Sequence, residues 1–374
     1  MINRKITEEI KKRIGLGKAI VIIGARQVGK TTLLKSLVEG MSGRVLWLNG
    51  DESDIREIFS NITSTRLKAI IGDKSLLIID EAQRINNVGL TIKLIVDNLP
   101  GVQVIVTGSS ALEISDKLKE PLTGRKFEFV LYPIAFSESV ENSSLIEAKR
   151  LLEHRLIFGS YPEIITHPGS EIELLNLLSE SYLYKDLLQF ENIKKPAALD
   201  NLLLALALQI GNEVSYNELG QLIGLNQVTV EKYVDLLEKA FVIFRLTSLS
   251  RNKRNEIKKG RKIYFFDNGI RNAIIKNFNP LKLRQDIGAL WENFIVSERI
   301  KTNHYSKRYV NSYFWRTHSQ QEIDYIEEYG GKIYAYEIKW NPSRKVKFPE
   351  SFFKSYPNSE KHLITPANFE DFLL

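Results

Sequence analysis

The chain has 374 residues, which is enough for two or three domains with separate hydrophobic cores. Hydrophobic residues make up 43% and charged residues 26% of it, as in an ordinary globular protein, and apolar runs such as 202–208 are too short to cross a bilayer. The absence of cysteine excludes disulfides and thiolate metal sites and favours the cytoplasm, while a net charge of +7 permits a polyanionic partner. We therefore expect a cytoplasmic, multidomain protein with no membrane partner.

A glycine-rich loop follows the first predicted strand, at 19–23. The pattern Gly24-x-x-x-x-Gly29-Lys30-Thr31 fits a P-loop, in which backbone N–H groups and a helix N-terminus surround a phosphate. Lys30 would reach the β- and γ-phosphate oxygens of ATP, and the hydroxyl of Thr31 would bind Mg²⁺. The predicted ATP-binding residues are Gly24, Ala25, Arg26, Gln27, Val28, Gly29, Lys30, Thr31 and Thr32.

A second apolar strand, at 76–79, ends in Asp80 and Glu81. Two acidic residues after a strand usually lie in solvent at the strand end and have no function. Some 50 residues after a P-loop, however, they favour a functional interpretation. Asp80 then supports Mg²⁺, and Glu81 acts as the base that orients the attacking water.

Two further candidate catalytic residues, Ser109 and Arg125, have open alternatives. Ser109 follows the predicted strand 102–106, where hydroxyl groups either sense the γ-phosphate or cap the next helix. Arg125 precedes the predicted strand 127–131 and either stabilises the transferring phosphoryl group, in its own or a neighbouring subunit, or is a surface arginine. With strands also near 19–23, 45–48 and 76–79, the pattern predicts a parallel sheet with right-handed crossovers.

The segments GARQVGKTT, LLIIDEAQ, VTGSS and LTGR, in this order and spacing, resemble AAA-type ATPases of archaea and bacteria that carry a C-terminal conserved domain of unknown function. FGSYPEII at 158–165 and the later YFFDNGIRNAI, GALWENFIVSERI and EIDYI…YEIKW are similar to that C-terminal domain. The resemblance covers nearly the whole chain. It implies an ASCE-type P-loop sheet and nucleotide hydrolysis, and it leaves the role of the C-terminal half undefined.

The middle of the chain predicts helices followed by a winged helix-turn-helix. Ser215 and Glu218 form a capping-box pattern, and Gly224 ends the first helix of the pair. The outward face of the second helix is acidic on balance, which suits a DNA groove poorly. The residues of that helix predicted to face the core are Val228, Val230, Tyr233, Leu236 and Leu237.

Basic residues are concentrated just downstream, on the predicted wing hairpin. There they could grip the backbone of double-stranded DNA without reading its sequence. The alternatives are a solvated hairpin tip or a contact with an acidic partner protein. Asp267, which follows, predicts a turn and a helix cap. The candidate nucleic-acid contacts are Arg251, Lys253, Arg254, Lys258, Lys259, Arg261 and Lys262.

The segment EIDYIEEYGGKIYAYEIKW at 322–340 predicts a β-hairpin that turns at Gly330-Gly331. Facing residues then have numbers that sum to 661, so Asp324 lies opposite Glu337, and Glu322 lies opposite Lys339. Like charges that face each other destabilise a strand pair, which calls for a functional reason.

Together with Glu292 on a preceding helix, Asp324, Glu337 and Lys339 resemble the PD-(D/E)XK nuclease fold. In that chemistry two carboxylates bind Mg²⁺, and the lysine positions the attacking water. Two features depart from the pattern: Glu322-Ile323 stands before the aspartate in place of proline, and Glu322 could neutralise Lys339. The alternative is an amphipathic hairpin whose charges face water.

The sequence thus predicts an α/β parallel-sheet P-loop NTPase at 1–140, a helical lid and connector at 141–210, a winged helix at 211–280 and an α+β restriction-endonuclease-like domain at 281–374. The predicted function is Mg²⁺-dependent ATP hydrolysis coupled to DNA binding, with a nuclease activity left open. The alternative is an ATP-driven switch or assembly module whose C-terminal half binds protein. ATP is the expected ligand, and double-stranded DNA and further copies of the chain are allowed as partners.

Overall fold

The computed structural model describes residues 2–41, 43–109, 121–190, 196–250, 260–317, 319–343 and 346–374, with only the backbone at 181–190 and 196. These residues form two compact units. The first comprises Met1–Pro133 with Lys239–Phe241, and the second comprises Ile134–Glu238 with Val242–Leu374. No helix in the described stretches is long and apolar enough to cross a membrane.

The first unit alternates strands and helices. Its elements are α1 (Ile6–Lys11), β1 (Ala19–Ile23), α2 (Lys30–Leu37), β2 (Val45–Asn49), α3 (Ser53–Phe59), α4 (Ser64–Ile71), β3 (Leu76–Asp80), a 3-10 turn (Ala82–Arg84), α5 (Val88–Asn98), β4 (Gln103–Gly108) and β5 (Lys126–Val130). The five strands lie in the order β2-β3-β4-β1-β5, and every neighbouring pair is parallel. This is the parallel sheet that the sequence predicts.

The sheet brings the polar ends of its central strands to one edge. β1 and β3 are buried along their whole length, as expected for apolar strands with both faces covered. Ile23 pairs with Gly108 of β4 and with Val130 of β5, while Asp80 pairs with Asn49 of β2. Because all strands run the same way, the loops that follow β1, β3 and β4 meet at this edge.

The second unit contains most of the helices of the described chain. Its elements are α6 (Phe136–Asn142), α7 (Leu145–Arg150), α8 (Leu152–Phe158), α9 (Pro162–Thr166), α10 (Glu171–Phe190), α11 (Pro196–Leu208), β6 (Glu213–Val214), α12 (Tyr216–Ile223), α13 (Gln227–Lys239), β7 (Ile243–Ser248), β8 (Arg261–Phe265), α14 (Asn268–Ile274), a 3-10 turn (Leu281–Leu283), α15 (Ile287–Tyr305), β9 (Asn311–Arg316), β10 (Glu322–Tyr329), β11 (Lys332–Ile338), α16 (Glu350–Ser355), β12 (Ser359–Ile364) and α17 (Glu370–Leu373).

One sheet joins the regions predicted as separate domains at 211–280 and 281–374. Its described strands lie in the order β12-β11-β10-β9-β7-β8-β6. β7 pairs in parallel with β9, through Thr247 with Tyr313 and Ser248 with Phe314. The predicted division at 280 therefore does not separate two compact units, because backbone pairing continues across it.

The helix pair α12–α13 follows the predicted local signals except at one position. The Ser215 hydroxyl accepts the Glu218 N–H, and Gly224 adopts the left-handed conformation that ends α12. Val228, however, is 75% exposed, so its prediction as a core residue is wrong. Two residues on a helix turn through about 200°, which places Val228 on the face opposite to the buried Val230.

The hairpin of β10 and β11 has the predicted register. Gly330 and Gly331 both have positive φ, and the observed pairs run from Tyr325–Tyr336 to Tyr329–Lys332. The predicted pairing of Glu322 with Lys339 is wrong, because the paired residues of β10 and β11 stop at Tyr325 and Tyr336. On its other side Glu322 pairs with Arg316 of β9. The β9–β10 register shifts between Ile323 and Ile326, and Lys339 lies beyond the end of β11.

Asp267 joins two of the segments that carry the C-terminal resemblance. As predicted, it caps a helix, because its side chain accepts the Gly269 and Ile270 N–H groups at the start of α14. Its second carboxylate oxygen accepts the Ser160 N–H at 2.7 Å. A Cβ at Gly159 would lie 1.9 Å from this carboxylate, so only glycine fits there.

Candidate functional site

The loop predicted to bind phosphate leaves β1 and enters α2 at the sheet edge where the strands end. A Cβ on Gly24 would lie 2.1 Å from the backbone oxygen of Leu131, so the loop packs on the chain after β5 too closely for any side chain. Gln27 and Gly29 have φ of 56° and 94°. The residues predicted to bind ATP, 24–32, thus form one continuous loop and the first turn of α2.

Lys30 lies inside this loop. Lys30 is only 5% exposed. Its ammonium donates hydrogen bonds to the carbonyls of Gly24 and Ala25 at 2.9 and 2.8 Å. A buried ammonium needs such partners or a bound anion. The loop therefore holds a positive charge over its own backbone, where phosphate oxygens could replace the carbonyls.

Asp80 connects the P-loop helix to the neighbouring strands. One carboxylate oxygen accepts the Thr31 hydroxyl at 2.8 Å, although the two residues are 49 positions apart. The other accepts the hydroxyl of Thr107 at the end of β4. Hydroxyl and carboxylate oxygens are the donors that Mg²⁺ prefers, so this pair fits the predicted metal. The direct contact of Thr107 with Asp80 was not predicted from the sequence.

Glu81 adopts a left-handed backbone with φ of 51°. Non-glycine residues in this region are uncommon and are enriched at functional sites. Its N–H lies 3.2 Å from both the Asp80 carboxylate and the Thr107 hydroxyl. A Cβ on Gly50 would lie 2.3 Å from the Glu81 backbone oxygen, so glycine there allows the loop after β2 to lie against it.

Gln83 is a site residue that the sequence interpretation missed. Its side-chain amide donates to the Glu81 carboxylate at 2.5 Å and to the Ser109 hydroxyl at 3.0 Å. The residue is 3% exposed. Gln83 thus links the candidate base to the end of β4, and its only sequence signal was its place inside DEAQ. The γ-phosphate role of Ser109 stays a prediction, and the helix that it was alternatively predicted to cap falls within 110–120, outside the described residues.

Arg125 lies where the parallel strands begin, at the end of the sheet opposite to the P-loop. Its carbonyl accepts the N–H of Ala19, the first residue of β1, and its guanidinium pairs with Asp97 at 2.8 Å. Five strand residues separate this edge from the P-loop, roughly 16 Å at the rise of a β-strand. A role for Arg125 at the nucleotide of its own subunit is therefore wrong, while a role in a neighbouring subunit stays a prediction.

Comparison with known families and structures agrees with this geometry. Residues 16–140 match the model of the AAA domain family. The Walker-type ATPase of Pyrococcus abyssi has a similar structure, with a TM-score of 0.52 over 74% of this chain and 96% of that chain at 15% identity. Residues 16–140 thus form an ATPase-like P-loop domain.

Most of the chain after residue 140 matches two domains of unknown function, DUF8612 at 149–281 and DUF4143 at 287–371. An uncharacterized protein of Mycobacterium tuberculosis is 26% identical over 90% of this chain and 73% of its own length. One of Haemophilus influenzae is 22% identical over 94% of this chain and 89% of its own length. The similarity therefore extends beyond the P-loop domain and assigns no activity to the C-terminal half.

Three of the predicted nuclease residues meet in the second unit. The Lys339 ammonium lies 2.6 Å from Asp324 and 2.8 Å from Glu337, and Asp324 also accepts the Ile338 N–H. Burial and the neighbouring Asp324 carboxylate raise the pKa of Glu337 to about 7, while Lys339 opposes this. The lysine thus reduces the repulsion between the two carboxylates that the hairpin register implies. In the described stretches no group of three or more His, Asp or Glu residues is arranged to hold a metal ion.

Lys262 lies in this acidic region, away from solvent. Its side chain is 1% exposed, and its ammonium pairs with Glu292 at 3.1 Å and Glu322 at 2.5 Å. Burial alone would lower the pKa of Lys262, but the neighbouring carboxylates raise it well above its ordinary value. The prediction of Lys262 as a nucleic-acid contact is therefore wrong, because β8 is buried continuously from Lys262 to Phe265 and the Lys262 ammonium is held by carboxylates.

Glu292 lies on α15 and completes the region. It accepts the Tyr264 hydroxyl at 2.7 Å, and burial together with Asp324 raises its pKa against the effect of Lys262. Arg261, the neighbour of Lys262, lies 4.7 Å from the centre of the Tyr216 ring. The other predicted DNA contacts, Arg251, Lys253, Arg254, Lys258 and Lys259, lie outside the described residues.

Proposed function

We propose that this protein binds MgATP on the 24–31 loop and hydrolyses it to ADP and phosphate. The observation that carries the proposal is the hydrogen bond between Thr31 and Asp80, next to Glu81. It joins a hydroxyl of α2, the helix after β1, to a carboxylate at the end of β3, and β4 lies between β1 and β3 in the sheet. An ordinary strand–helix turn has no need of this contact.

Each side chain has a defined task in this reaction. Lys30 exchanges its two carbonyl partners for β- and γ-phosphate oxygens and neutralises their charge. Glu81 orients the attacking water and accepts its proton as the bond from the γ-phosphorus to ADP breaks. Thr31 and Asp80 would hold Mg²⁺, which supplies further charge neutralisation at the phosphates. Gln83 holds the Glu81 carboxylate in place through its amide.

The metal requirement tests the proposal directly. Phosphate release by the full chain should vanish in excess chelator and return when Mg²⁺ is restored. Thr31→Val and Asp80→Asn should raise the Mg²⁺ concentration needed for half-maximal turnover by about tenfold or more, because each removes a candidate ligand. Asp73→Asn, at an exposed position in the same unit, is the matched control and should leave the requirement unchanged. Turnover that is independent of Mg²⁺ would overturn the assignment.

We further propose that the second unit binds double-stranded DNA. Support comes from the order β6, α12, α13, β7 and β8, which is that of a winged helix, with β8 paired to both β6 and β7. The sequence between β7 and β8 contains Arg251, Lys253, Arg254, Lys258 and Lys259. A basic wing contacts phosphates without reading bases.

Cleavage of the bound DNA at Glu292, Asp324, Glu337 and Lys339 is the finer part of this proposal. It is favoured by the contact of Lys339 with both hairpin carboxylates, since the nuclease chemistry requires these three groups together. The two domains of unknown function neither support nor oppose this activity.

A single experiment separates DNA binding from cleavage. Lys258→Glu combined with Lys259→Glu should weaken duplex binding at least tenfold and flatten its dependence on salt, because fewer counterions are released. Glu337→Ala should leave binding intact and remove any cleavage seen with Mg²⁺ or Mn²⁺, with or without ATP.

Lys232→Glu, on the exposed face of α13, is the control for the charge reversal. It should have little effect if the wing makes the contact. If wild-type protein shows no salt-dependent DNA binding, the alternative of a switch or assembly module that contacts protein takes precedence. DNA binding without cleavage would remove only the nuclease part.

A further inference from the structure

An arginine near the N-terminus reaches the P-loop from outside the matched AAA domain, which begins at residue 16. Arg4 precedes α1 and is only 8% exposed. One nitrogen of its guanidinium donates to the carbonyl of Val28 at 2.7 Å, and the other donates to the carbonyl of Tyr132 at 2.5 Å. Arg4 therefore connects the middle of the P-loop with the chain that follows β5.

The contact with Val28 fixes the direction of a whole peptide group. No cis peptide bond is found among the described residues. In a planar trans peptide the C=O of one residue and the N–H of the next point in opposite directions. By holding the Val28 carbonyl, Arg4 directs the N–H of Gly29 the other way. Gly29 is the last loop residue before α2, where N–H groups of a P-loop meet phosphate.

The surrounding backbone explains why such a restraint is needed. Gln27, on one side of Val28, has a positive φ of 56°, which a residue other than glycine adopts only at a cost. Gly29, on the other side, has φ of 94°, which glycine adopts freely. The carbonyls of Gly24 and Ala25 face the Lys30 ammonium, which has to leave them to meet a phosphate. The bond from Arg4 does not depend on that exchange.

The contact with Tyr132 anchors the Arg4 guanidinium to a segment that is itself held by the sheet. The N–H of Leu131 donates to Ile23 at 2.7 Å, and Gly24 packs directly on the Leu131 carbonyl. The segment 131–132 thus packs against the start of the P-loop, and Arg4 links this segment to Val28 in the middle of the loop.

We propose that Arg4 is a positioning residue for the bound nucleoside triphosphate. It does not touch the nucleotide but keeps the loop amides oriented toward the β-phosphate. The inference rests on the proposed function. The simpler alternative is that Arg4 only anchors α1, whose Ile6 and Ile10 are buried in the same unit.

Two variants distinguish these roles. Arg4→Met keeps much of the side-chain length but removes both hydrogen bonds, and Ile10→Ala loosens the packing of α1 without touching the guanidinium. Titration calorimetry with MgADP should show about tenfold weaker binding to Arg4→Met, because bonds to a charged donor are lost. Ile10→Ala should lower the melting temperature and leave the MgADP dissociation constant nearly unchanged. In turnover assays, Arg4→Met should raise KM more than it lowers kcat.

Arg4→Lys adds a conservative variant that keeps the charge and one set of donors, and it should recover part of the affinity. If Arg4→Met does not fold, Arg4→Lys against Ile10→Ala decides the question by the same comparison. Equal MgADP binding by wild type and the Arg4 variants, or equal weakening by Ile10→Ala, would overturn the inference. A wild-type chain that binds no nucleotide would instead overturn the proposed function, before any variant is compared.

Discussion

Lys30→Ala should abolish ATP hydrolysis and weaken MgATP binding by at least a hundredfold. The reason is the position of the ammonium, which is buried within the loop 2.9 and 2.8 Å from two loop carbonyls. Charge-assisted hydrogen bonds contribute about 1.5–3 kcal/mol each, and phosphate oxygens would accept at least two. Alanine leaves the phosphate charge facing backbone dipoles alone. Phosphate release and titration calorimetry with MgATP measure the two effects.

Lys35→Ala is the matched control, because Lys35 lies on the same helix α2 with its side chain exposed. It removes the same charge from the same element and should change neither quantity. Thermal unfolding of both variants excludes loss of the fold as the cause. Hydrolysis that persists at the wild-type rate in Lys30→Ala would show that the loop is not the site of turnover.

The arrangement of the candidate nucleotide site was predictable because its signals are local. A P-loop needs only the contiguous residues between β1 and α2, and the acids at the end of β3 follow from the shared direction of parallel strands. The same rule could have placed Arg125 correctly. A residue that precedes a parallel strand lies at the edge opposite to the P-loop, and Arg125 precedes β5.

The contacts that shape the site were not predictable because they join distant parts of the chain. Gln83 meets Ser109 across 26 positions, and Arg4 meets Tyr132 across 128. No local pattern marks either pair, since a buried polar side chain has its partner chosen by tertiary packing. Sequence alone could identify these residues only as polar groups near or before a motif.

The C-terminal region illustrates a different limit. The two glycines set the hairpin register correctly, which brings Asp324, Glu337 and Lys339 together. The predicted partner of Glu322 was wrong because the pairing of β10 with β11 stops at Tyr325 and Tyr336, and Lys339 lies beyond the end of β11. The prediction for Lys262 was wrong because a run of basic residues suggests a solvated hairpin, while β8 is buried on both faces from Lys262 onward. Composition describes a segment, but burial depends on the sheet it joins.

Glu81→Gln should separate nucleotide binding from hydrolysis. Glutamine keeps the length and shape of the side chain, and its oxygen can still accept the hydrogen bond from Gln83. It cannot take a proton from water, so turnover should fall by about 10²-fold or more while the MgATP dissociation constant changes little. Single-turnover phosphate release and titration calorimetry measure the two quantities on the same sample.

Glu57→Gln, on the exposed surface of α3, removes a similar charge from the same unit and should hydrolyse ATP like the wild type. Gln83→Ala gives the intermediate case, because it leaves the base intact but removes one of the bonds that orient it. If Glu81→Gln keeps wild-type turnover while Lys30→Ala has none, the P-loop site stands and the base is another group. In that event the left-handed backbone of Glu81 shapes the turn that places Asp80 and Thr107, and Glu81 itself does not act on the water.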